Sequence, residues 1–259
     1  MKAARGTGSG EGQYADPIQA PGTDEERWRT WAGWGRIPEY VLPAAGRVVA
    51  VAAHPDDEVL GVGGALARLA AAGLDVTVVS VTDGEGSHPG STRLTPERLA
   101  DVRAGELREA LRKLGADGAR IKRLRLPDTR VAEHEERLTA RLADLLAGAV
   151  LCLAPWTGDV HSDHEAAGRA ALAASRRASV PCRLYPVWLW HWAEPGDPRV
   201  PWERASTIVL PAAVQARKAA AVYCFASQIR PLGPASQDAA VLPPRELAHH
   251  LRGWEVVFR

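Results

Sequence analysis

Short apolar runs and longer helix-forming runs alternate along the chain from Arg47 onward. The apolar runs are rich in β-branched residues, as expected for strands that are buried on both faces. Five strands are predicted, and they read RVVAVAA, DVTVVSVT, IKRLRL, AVLCLAP and RLYPVWLW. Because strands that alternate with helices need right-handed crossovers, the pattern predicts an α/β fold, a three-layer sandwich with a mainly parallel sheet.

Capping residues mark where several of the predicted helices begin and end. Thr95 and Pro96 open a helix that runs to about Leu114, and Gly73 closes the helix that follows the first strand. Residues 1–23 are rich in glycine and small polar residues and are predicted to form a disordered or loosely attached arm. Residues 24–259 are predicted to form a single domain.

Composition excludes several classes of partner. The chain of 259 residues has 32 basic and 31 acidic side chains, a net charge of +1, so no overall field attracts nucleic acid or an anionic membrane. No apolar run approaches the roughly 20 residues that span a bilayer. The N-terminus lacks the apolar core of a signal peptide, so a cytoplasmic location is expected.

The stretch VVAVAAHPDDEVLGVGGALARL places ionisable side chains directly after the first strand, namely His54, Asp56, Asp57 and Glu58. Burying such groups is costly unless something compensates their charge. One interpretation is a cluster of caps at a helix N-terminus, where acidic groups complement the helix dipole. The other interpretation is a metal site.

A second set follows the fourth strand in WTGDVHSDHEAAG, which contains His161, Asp163 and His164. Because ligands bind beyond the carboxyl ends of parallel strands, both sets are expected at one rim of the sheet. Imidazole nitrogens and carboxylate oxygens suit a divalent metal such as zinc. A solvated, capped turn would explain either motif alone, but the two motifs together favour a metal site. Of the adjacent residues Asp56 and Asp57, one would then bind the metal and the other would accept a proton.

The motifs AHPDDE and HSDH, about a hundred residues apart, resemble those of the LmbE-like (PIG-L type) zinc-dependent N-acetylglucosaminyl deacetylases. The resemblance covers roughly residues 47–228. It implies a Rossmann-like fold and hydrolysis of an acetamide on an amino sugar, with one Zn²⁺ or another divalent metal per chain. It also implies a small-molecule amino-sugar conjugate as the substrate. A homo-oligomeric assembly is compatible with the resemblance.

The resemblance also implies roles for individual residues. The implied metal ligands are His54, Asp57 and His164. Asp56 would be the general base and later the proton donor to the departing amine. His161 would be an imidazolium that stabilises the oxyanion, with Asp163 hydrogen-bonded behind it. Two implied substrate contacts are Arg103, in DVRAGELREALRKLGAD, and Asp128, in LRLPDTR; for Arg103 a solvated ion pair with Glu106 is the alternative.

Two other functions remain open at this stage. The first is a zinc amidase that cleaves a larger acyl group from a glucosaminyl conjugate. The second is a non-enzymatic sugar- or nucleotide-binding module, but GVGG lies inside a predicted helix and does not form the G-x-G-x-x-G turn that binds phosphate. The loop Thr82–Thr95 and the segment Trp192–Pro201 are expected to select the group attached to the sugar.

Overall fold

A computed structural model of the chain describes residues 16–259. The strands of the described residues are β1 (Arg47–Ala52), β2 (Asp75–Ser80), β3 (Arg120–Arg123), β4 (Leu151–Pro155), β5 (Cys182–Tyr185), β6 (Ala205–Val209) and β7 (Trp254–Phe258). The helices are α1 (Glu25–Arg29), α2 (Asp57–Ala71), α3 (Pro96–Leu114), α4 (Glu135–Leu146), α5 (Ser162–Ala178), α6 (Leu189–Trp192), α7 (Ala212–Val222), α8 (Ala226–Ile229) and α9 (Pro244–His250).

The strands form one sheet in the order β3-β2-β1-β4-β5-β7-β6. Strands β1 to β5 are parallel, whereas β7 runs antiparallel to both β5 and β6. The predicted α/β fold with a mainly parallel sheet is confirmed, and the antiparallel pair β6–β7 extends it at one edge. The chain turns outward in opposite directions from β1 and β4, so a crevice forms beyond their carboxyl ends.

Each face of the sheet carries its own hydrophobic core. Val49 and Val51 of β1 belong to one core, and Val48 and Ala50 belong to the other. This alternation follows from the two-residue period of a strand, and it shows why β1 is apolar throughout. The predicted boundaries of α3 are confirmed, because the Thr95 side chain accepts a hydrogen bond from Arg98 N and Pro96 is the first helical residue. None of the described helices is long and apolar enough to cross a membrane.

The fifth strand is shorter than the sequence predicts. It ends at Tyr185, and the residues Leu189–Trp192 form the helix α6, so the alternating tryptophans do not lie on a strand. Pro186 interrupts the ladder because proline has no N–H to donate. The N–H groups of Val187, Trp188 and Leu189 instead donate to the carboxylate of Asp159, at 2.9–3.2 Å.

The N-terminal region lies against the domain. Of the arm predicted over residues 1–23, residues 1–15 lie outside the described residues, and residues 16–23 are described. At the end of this segment, Thr23 contacts the region of α6, donating from N to His191 O at 2.9 Å and from Oγ1 to Ala193 O at 2.7 Å. The tryptophan Trp28 of α1 is fully buried and donates from Nε1 to Trp190 O.

A partly buried ion pair joins α1 to the segment between α9 and β7. The carboxylate of Glu25 accepts from Arg252 Nε at 2.9 Å and lies 2.8 Å from His249 Nδ1. Burial alone would raise the pKa of Glu25, but the hydrogen bonds from His249 and Arg252 outweigh burial and lower the pKa to about 2. Because this carboxylate is more acidic folded than unfolded, its contribution to stability is present above pH 4.5 and is lost as the pH falls toward 2.

We therefore expect Glu25→Gln to lower the free energy of unfolding by about 2 kcal/mol at pH 7. The difference from the unmodified chain should narrow as the pH is lowered below about 4.5. Urea unfolding at a series of pH values measures this, with the exposed neighbour Glu26→Gln as the control. Equal stabilities of the Glu25→Gln variant and the unmodified chain at pH 7 would contradict the prediction.

Candidate metal centre

Three side chains bring potential ligand atoms together where β1 and β4 end. His54 Nδ1 lies 3.2 Å from His164 Nε2, which in turn lies 3.2 Å from Asp57 Oδ1, and Asp57 Oδ2 lies 3.6 Å from His54 Nδ1. All three side chains are buried. Ligand atoms bound to one tetrahedral zinc ion at about 2.0–2.2 Å lie roughly 3.2–3.6 Å apart. The spacing of these atoms therefore fits a single divalent cation.

Local hydrogen bonds hold the two motifs in place. His54 N donates to Asp57 Oδ2 at 2.8 Å, which closes the turn between β1 and α2. The side chain of Asp56 makes no capping hydrogen bond to α2, so helix capping does not explain the acidic pair. Capping does occur in the second motif, where His161 Nδ1 accepts from Asp163 N at 3.3 Å at the start of α5.

Carboxylates contact the outward-facing nitrogen of each metal-facing histidine. Asp159 Oδ2 lies 2.8 Å from His164 Nδ1, and Asp128 Oδ1 lies 3.1 Å from His54 Nε2. Carboxylates in such positions fix the tautomer and orientation of histidines that bind metals. Here they leave His54 Nδ1 and His164 Nε2 free to face the centre.

The electrostatics of the cluster favour positive charge. Burial alone would lower the pKa of His164, but the carboxylates of Asp57 and Asp159 outweigh burial and raise it to about 9. Burial would also lower the pKa of His54, but the carboxylates of Asp128, Asp163 and Asp57 around the ring outweigh burial and raise it. A buried cluster that favours added positive charge at its centre meets the electrostatic requirement of a cation site.

Asp159 is a functional candidate that the sequence motifs do not single out. It is fully buried, and it holds both His164 and the backbone of residues 187–189. The available signal is its position in the same loop, five residues before His164, together with the general need of metal-binding histidines for a carboxylate partner.

We expect Asp159→Asn to weaken metal binding about 10–100-fold. The amide nitrogen of asparagine cannot accept the hydrogen bonds that both carboxylate oxygens accept, so the orientation of His164 becomes less fixed. A competition titration against a chromogenic chelator measures the affinity. Glu165→Gln is the matched control. The carboxylate of Glu165 accepts from Val160 N, which lies in the same loop as Asp159. An unchanged affinity in Asp159→Asn would contradict the role assigned to this carboxylate.

Asp56 lies beside the cluster and is paired with a buried arginine. Its Oδ2 is 3.1 Å from Arg103 Nη2, and both side chains are buried. Arg103 also donates to Gly84 O at 3.0 Å and to Pro55 O at 3.2 Å, so three contacts fix its position. Burial raises the pKa of Asp56 to about 6, although the charge of Arg103 opposes that rise.

A cavity of about 690 Å³ opens onto these residues. Its lining includes His54, Asp56, Asp57, His161 and His164 at one end. The loop Thr82–Thr95 contributes Gly86, Ser87 and Pro89, as expected, but the segment Trp192–Pro201 contributes none of its lining among the described residues. The expectation that Trp192–Pro201 flanks the site is therefore wrong for this cavity.

Comparison with known proteins identifies the family. Residues 49–175, about half of the chain, match the family described as PIG-L: GlcNAc-PI de-N-acetylase. The chain belongs to the PIG-L family. Its membership agrees with the fold and with the positions of the two motifs at the ends of β1 and β4.

Two curated relatives that the chain matches are 1D-myo-inositol 2-acetamido-2-deoxy-alpha-D-glucopyranoside deacetylases. The protein from Mycobacteroides abscessus is 34% identical over 157 residues, which make up 51% of this chain and 56% of that protein. The protein from Streptomyces griseus is 45% identical over 86 residues, which make up 31% of this chain and 26% of that protein. The chain thus spans about half or less of the length of these relatives.

Solved structures agree in fold. The conserved protein TT1542 from Thermus thermophilus is 30% identical, with a TM-score of 0.52 over 70% of this chain and 79% of that chain. The zinc-inhibited form of the teicoplanin deacetylase Orf2 has a TM-score of 0.57 at 21% identity, over 82% of this chain and 97% of that chain. The second likeness supports the fold alone.

The contacts of His161 and Asp163 differ from those that membership of the PIG-L family implied. His161 stacks on His164 with ring centroids 4.5 Å apart. Burial and the charges of His164 and His54 lower the pKa of His161 to about 2, which favours a neutral imidazole over the implied imidazolium. The carboxylate of Asp163 is not hydrogen-bonded behind His161; it accepts from Thr129 N and Val131 N and lies 3.4 Å from His54 Nε2.

The two implied substrate contacts, Arg103 and Asp128, both line the cavity but are already engaged within the protein. Asp128 contacts His54 through Oδ1 and accepts from Gly86 N at 2.7 Å through Oδ2. The alternative prediction of a solvated ion pair between Arg103 and Glu106 is wrong. Arg103 is buried against Asp56, and Glu106 accepts instead from Ser227 N and Oγ, each at 2.7 Å.

Proposed function

We propose that the chain is a zinc-dependent hydrolase that removes the acetyl group from an N-acetylglucosaminyl conjugate. The observation that carries this proposal is the convergence of His54 Nδ1, His164 Nε2 and Asp57 on one point, with Asp56 beside them and free of any capping role. The activities named for the curated relatives support the same reaction class. The donor set of two imidazole nitrogens and one carboxylate supports zinc as the metal.

The metal would be held by His54, Asp57 and His164. When bound, a divalent metal supplies a Lewis acid that polarises the amide carbonyl and makes water more acidic. The other tasks fall to residues of the chain: removing a proton from water, stabilising the oxyanion and returning a proton to the departing nitrogen.

Asp56 is the proposed general base and acid. Its carboxylate removes a proton from the attacking water as the oxygen bonds to the carbonyl carbon. The same carboxyl then donates that proton to the nitrogen as the C–N bond breaks, which yields acetate and a free amine. A carboxyl whose pKa is raised to about 6 is suited to both steps near neutral pH, because proton transfer is most effective when the pKa lies near the working pH.

Arg103 and His161 have supporting roles in this proposal. Arg103 fixes the carboxylate of Asp56 and keeps it ionised against the effect of burial. Because His161 Nδ1 accepts from Asp163 N, its proton lies on Nε2, which can donate to the developing oxyanion. A neutral imidazole is able to act as an electrophile of this kind.

Two measurements on the purified protein test the proposal. Elemental analysis should find about one zinc per chain, and N-acetylglucosaminyl conjugates should release free amine and acetate in equal amounts. Faster release from N-hexanoyl than from N-acetyl conjugates would replace the deacetylase with the larger-acyl amidase. Absence of both metal binding and amine release would favour the non-enzymatic binding module.

A further inference from the structure

Part of the cavity wall comes from outside the region that matches the PIG-L family. This outer wall is formed by three segments, which are residues 16–19, residues 187–191 and residues 240–246. All three lie outside residues 49–175. They line the same cavity as the metal centre, so a substrate whose amide lies at the metal would place the rest of the molecule along them.

His191 fastens the three segments of the outer wall to one another. Its Nε2 lies 2.8 Å from Ala20 O, and its Nδ1 lies 2.9 Å from Glu246 Oε1. Its ring packs so closely on Gly22 that a Cβ added there would come within 2.3 Å of Nδ1. The N-terminal segment and α9 are therefore held together by one side chain.

Asp159 connects the outer wall to the metal centre. The carboxylate that lies 2.8 Å from His164 Nδ1 also accepts the backbone N–H groups of Val187 and Trp188, both of which line the cavity. The position of the outer wall is thus fixed relative to a metal-facing histidine. Such a connection makes the wall a permanent part of the site.

The surface that the outer wall offers is mainly apolar. Its apolar members are Ile18, Val187, Trp188, Ala240, Val241, Leu242 and Pro243, and Asp16 and Gln19 of the N-terminal segment are polar. Its charged members on α9 are already paired, because Glu246 contacts His191 at 2.9 Å and Arg245 Nε at 3.1 Å. Hydroxyl groups buried against such a surface would lack hydrogen-bond partners, whereas an apolar ring would gain contact area.

The size of the cavity agrees with a substrate larger than one sugar. A volume of about 690 Å³ falls within the roughly 300–1,000 Å³ of pockets that take drug-sized ligands. An amino sugar at the metal end therefore leaves room for an attached group beside Trp188 and Ile18.

On this basis, and resting on the proposed deacetylase function, we propose that the outer wall selects amino-sugar conjugates whose attached group has an apolar or aromatic face. Ile18 and Trp188 are its specificity-determining residues. The N-terminal segment 16–19, which precedes the matched family region, is thereby a part of the substrate site.

The test compares phenyl and methyl glycosides of N-acetylglucosamine as substrates of the zinc-loaded full chain. We expect kcat/KM to be at least tenfold higher for the phenyl glycoside, and Ile18→Asp to reduce this ratio about tenfold through KM. Trp188→Ala should reduce the ratio in the same direction. Val41→Asp is the matched control, because Val41 is an exposed β-branched residue that does not line the cavity. A ratio near one in the unmodified chain, or a ratio unaffected by Ile18→Asp and Trp188→Ala, overturns the proposal.

Failure of the proposed function gives a different result. In that case neither glycoside releases amine, and the wall is tested by calorimetry of phenyl and methyl glycoside binding. Tighter binding of the phenyl glycoside, lost in Ile18→Asp and kept in Val41→Asp, supports the wall as a selective surface. Equal binding of the two glycosides to the unmodified chain overturns it.

Discussion

Asp56→Asn is expected to lower kcat for amine release about 10³-fold while the zinc content stays at that of the unmodified chain. A large loss is expected because the proposed mechanism assigns both proton transfers to this one carboxyl, and positioned acid–base groups contribute roughly 10²–10⁴-fold each. An amide cannot take a proton from water at neutral pH, although it keeps nearly the shape of the carboxyl. Zinc should be retained because the proposed ligands are His54, Asp57 and His164, which the substitution leaves unchanged.

The control for Asp56→Asn is Asp75→Asn, the same change at an exposed position at the beginning of β2, on the opposite edge of the sheet. Steady-state kinetics and elemental analysis are measured on all three proteins under the same conditions. Full activity of Asp56→Asn would remove Asp56 as the base. Loss of zinc from Asp56→Asn would instead show that this carboxylate belongs to the metal site.

The meeting of His54 and His164 could be predicted because it depends on topology alone. The strands before them, β1 and β4, are parallel neighbours, so the residues that follow both strands must lie at the same edge of the sheet. The boundaries of α3 could be predicted for a local reason, since Thr95 and Pro96 act on the first turn of the helix itself.

The partners of the histidines could not be predicted in the same way. Which nitrogen of His54 faces the centre is decided by Asp128 and Gly86, which come from two other loops. The lowered pKa of His161 likewise depends on its burial and on the charges of His164 and His54 beside it. Motif spacing carries no information about these contacts between loops, so the hydrogen bonds of Asp128 and Asp163 could not be derived from it.

Helix α6 and the strands β6 and β7 show the same limit in the fold. The alternating tryptophans of residues 188–192 fit a strand locally, yet Asp159, a residue far away in the chain, accepts their N–H groups and makes the chain turn. Strands β6 and β7 pair antiparallel although α7, α8 and α9 separate them along the chain. Elements whose hydrogen-bond partners are distant in sequence give weak local signals.

His164→Ala is expected to abolish zinc binding and amine release together. Removing Nε2 leaves only His54 and Asp57 of the proposed ligands, fewer than the three protein ligands typical of a catalytic zinc site. It also leaves the buried carboxylate of Asp159 without its imidazole partner, so a loss of stability of about 1–3 kcal/mol is expected as well.

Thermal unfolding and circular dichroism therefore accompany the zinc analysis of His164→Ala, and the half-buried His134→Ala serves as the control for removing an imidazole elsewhere. A folded His164→Ala protein without zinc, beside a His134→Ala protein with one zinc per chain, is the expected pair of results. If folded His164→Ala keeps a full equivalent of zinc, the ion lies elsewhere. Asp56 would then have no metal beside it, and the arrangement of base and cation on which the hydrolysis depends would have to be abandoned.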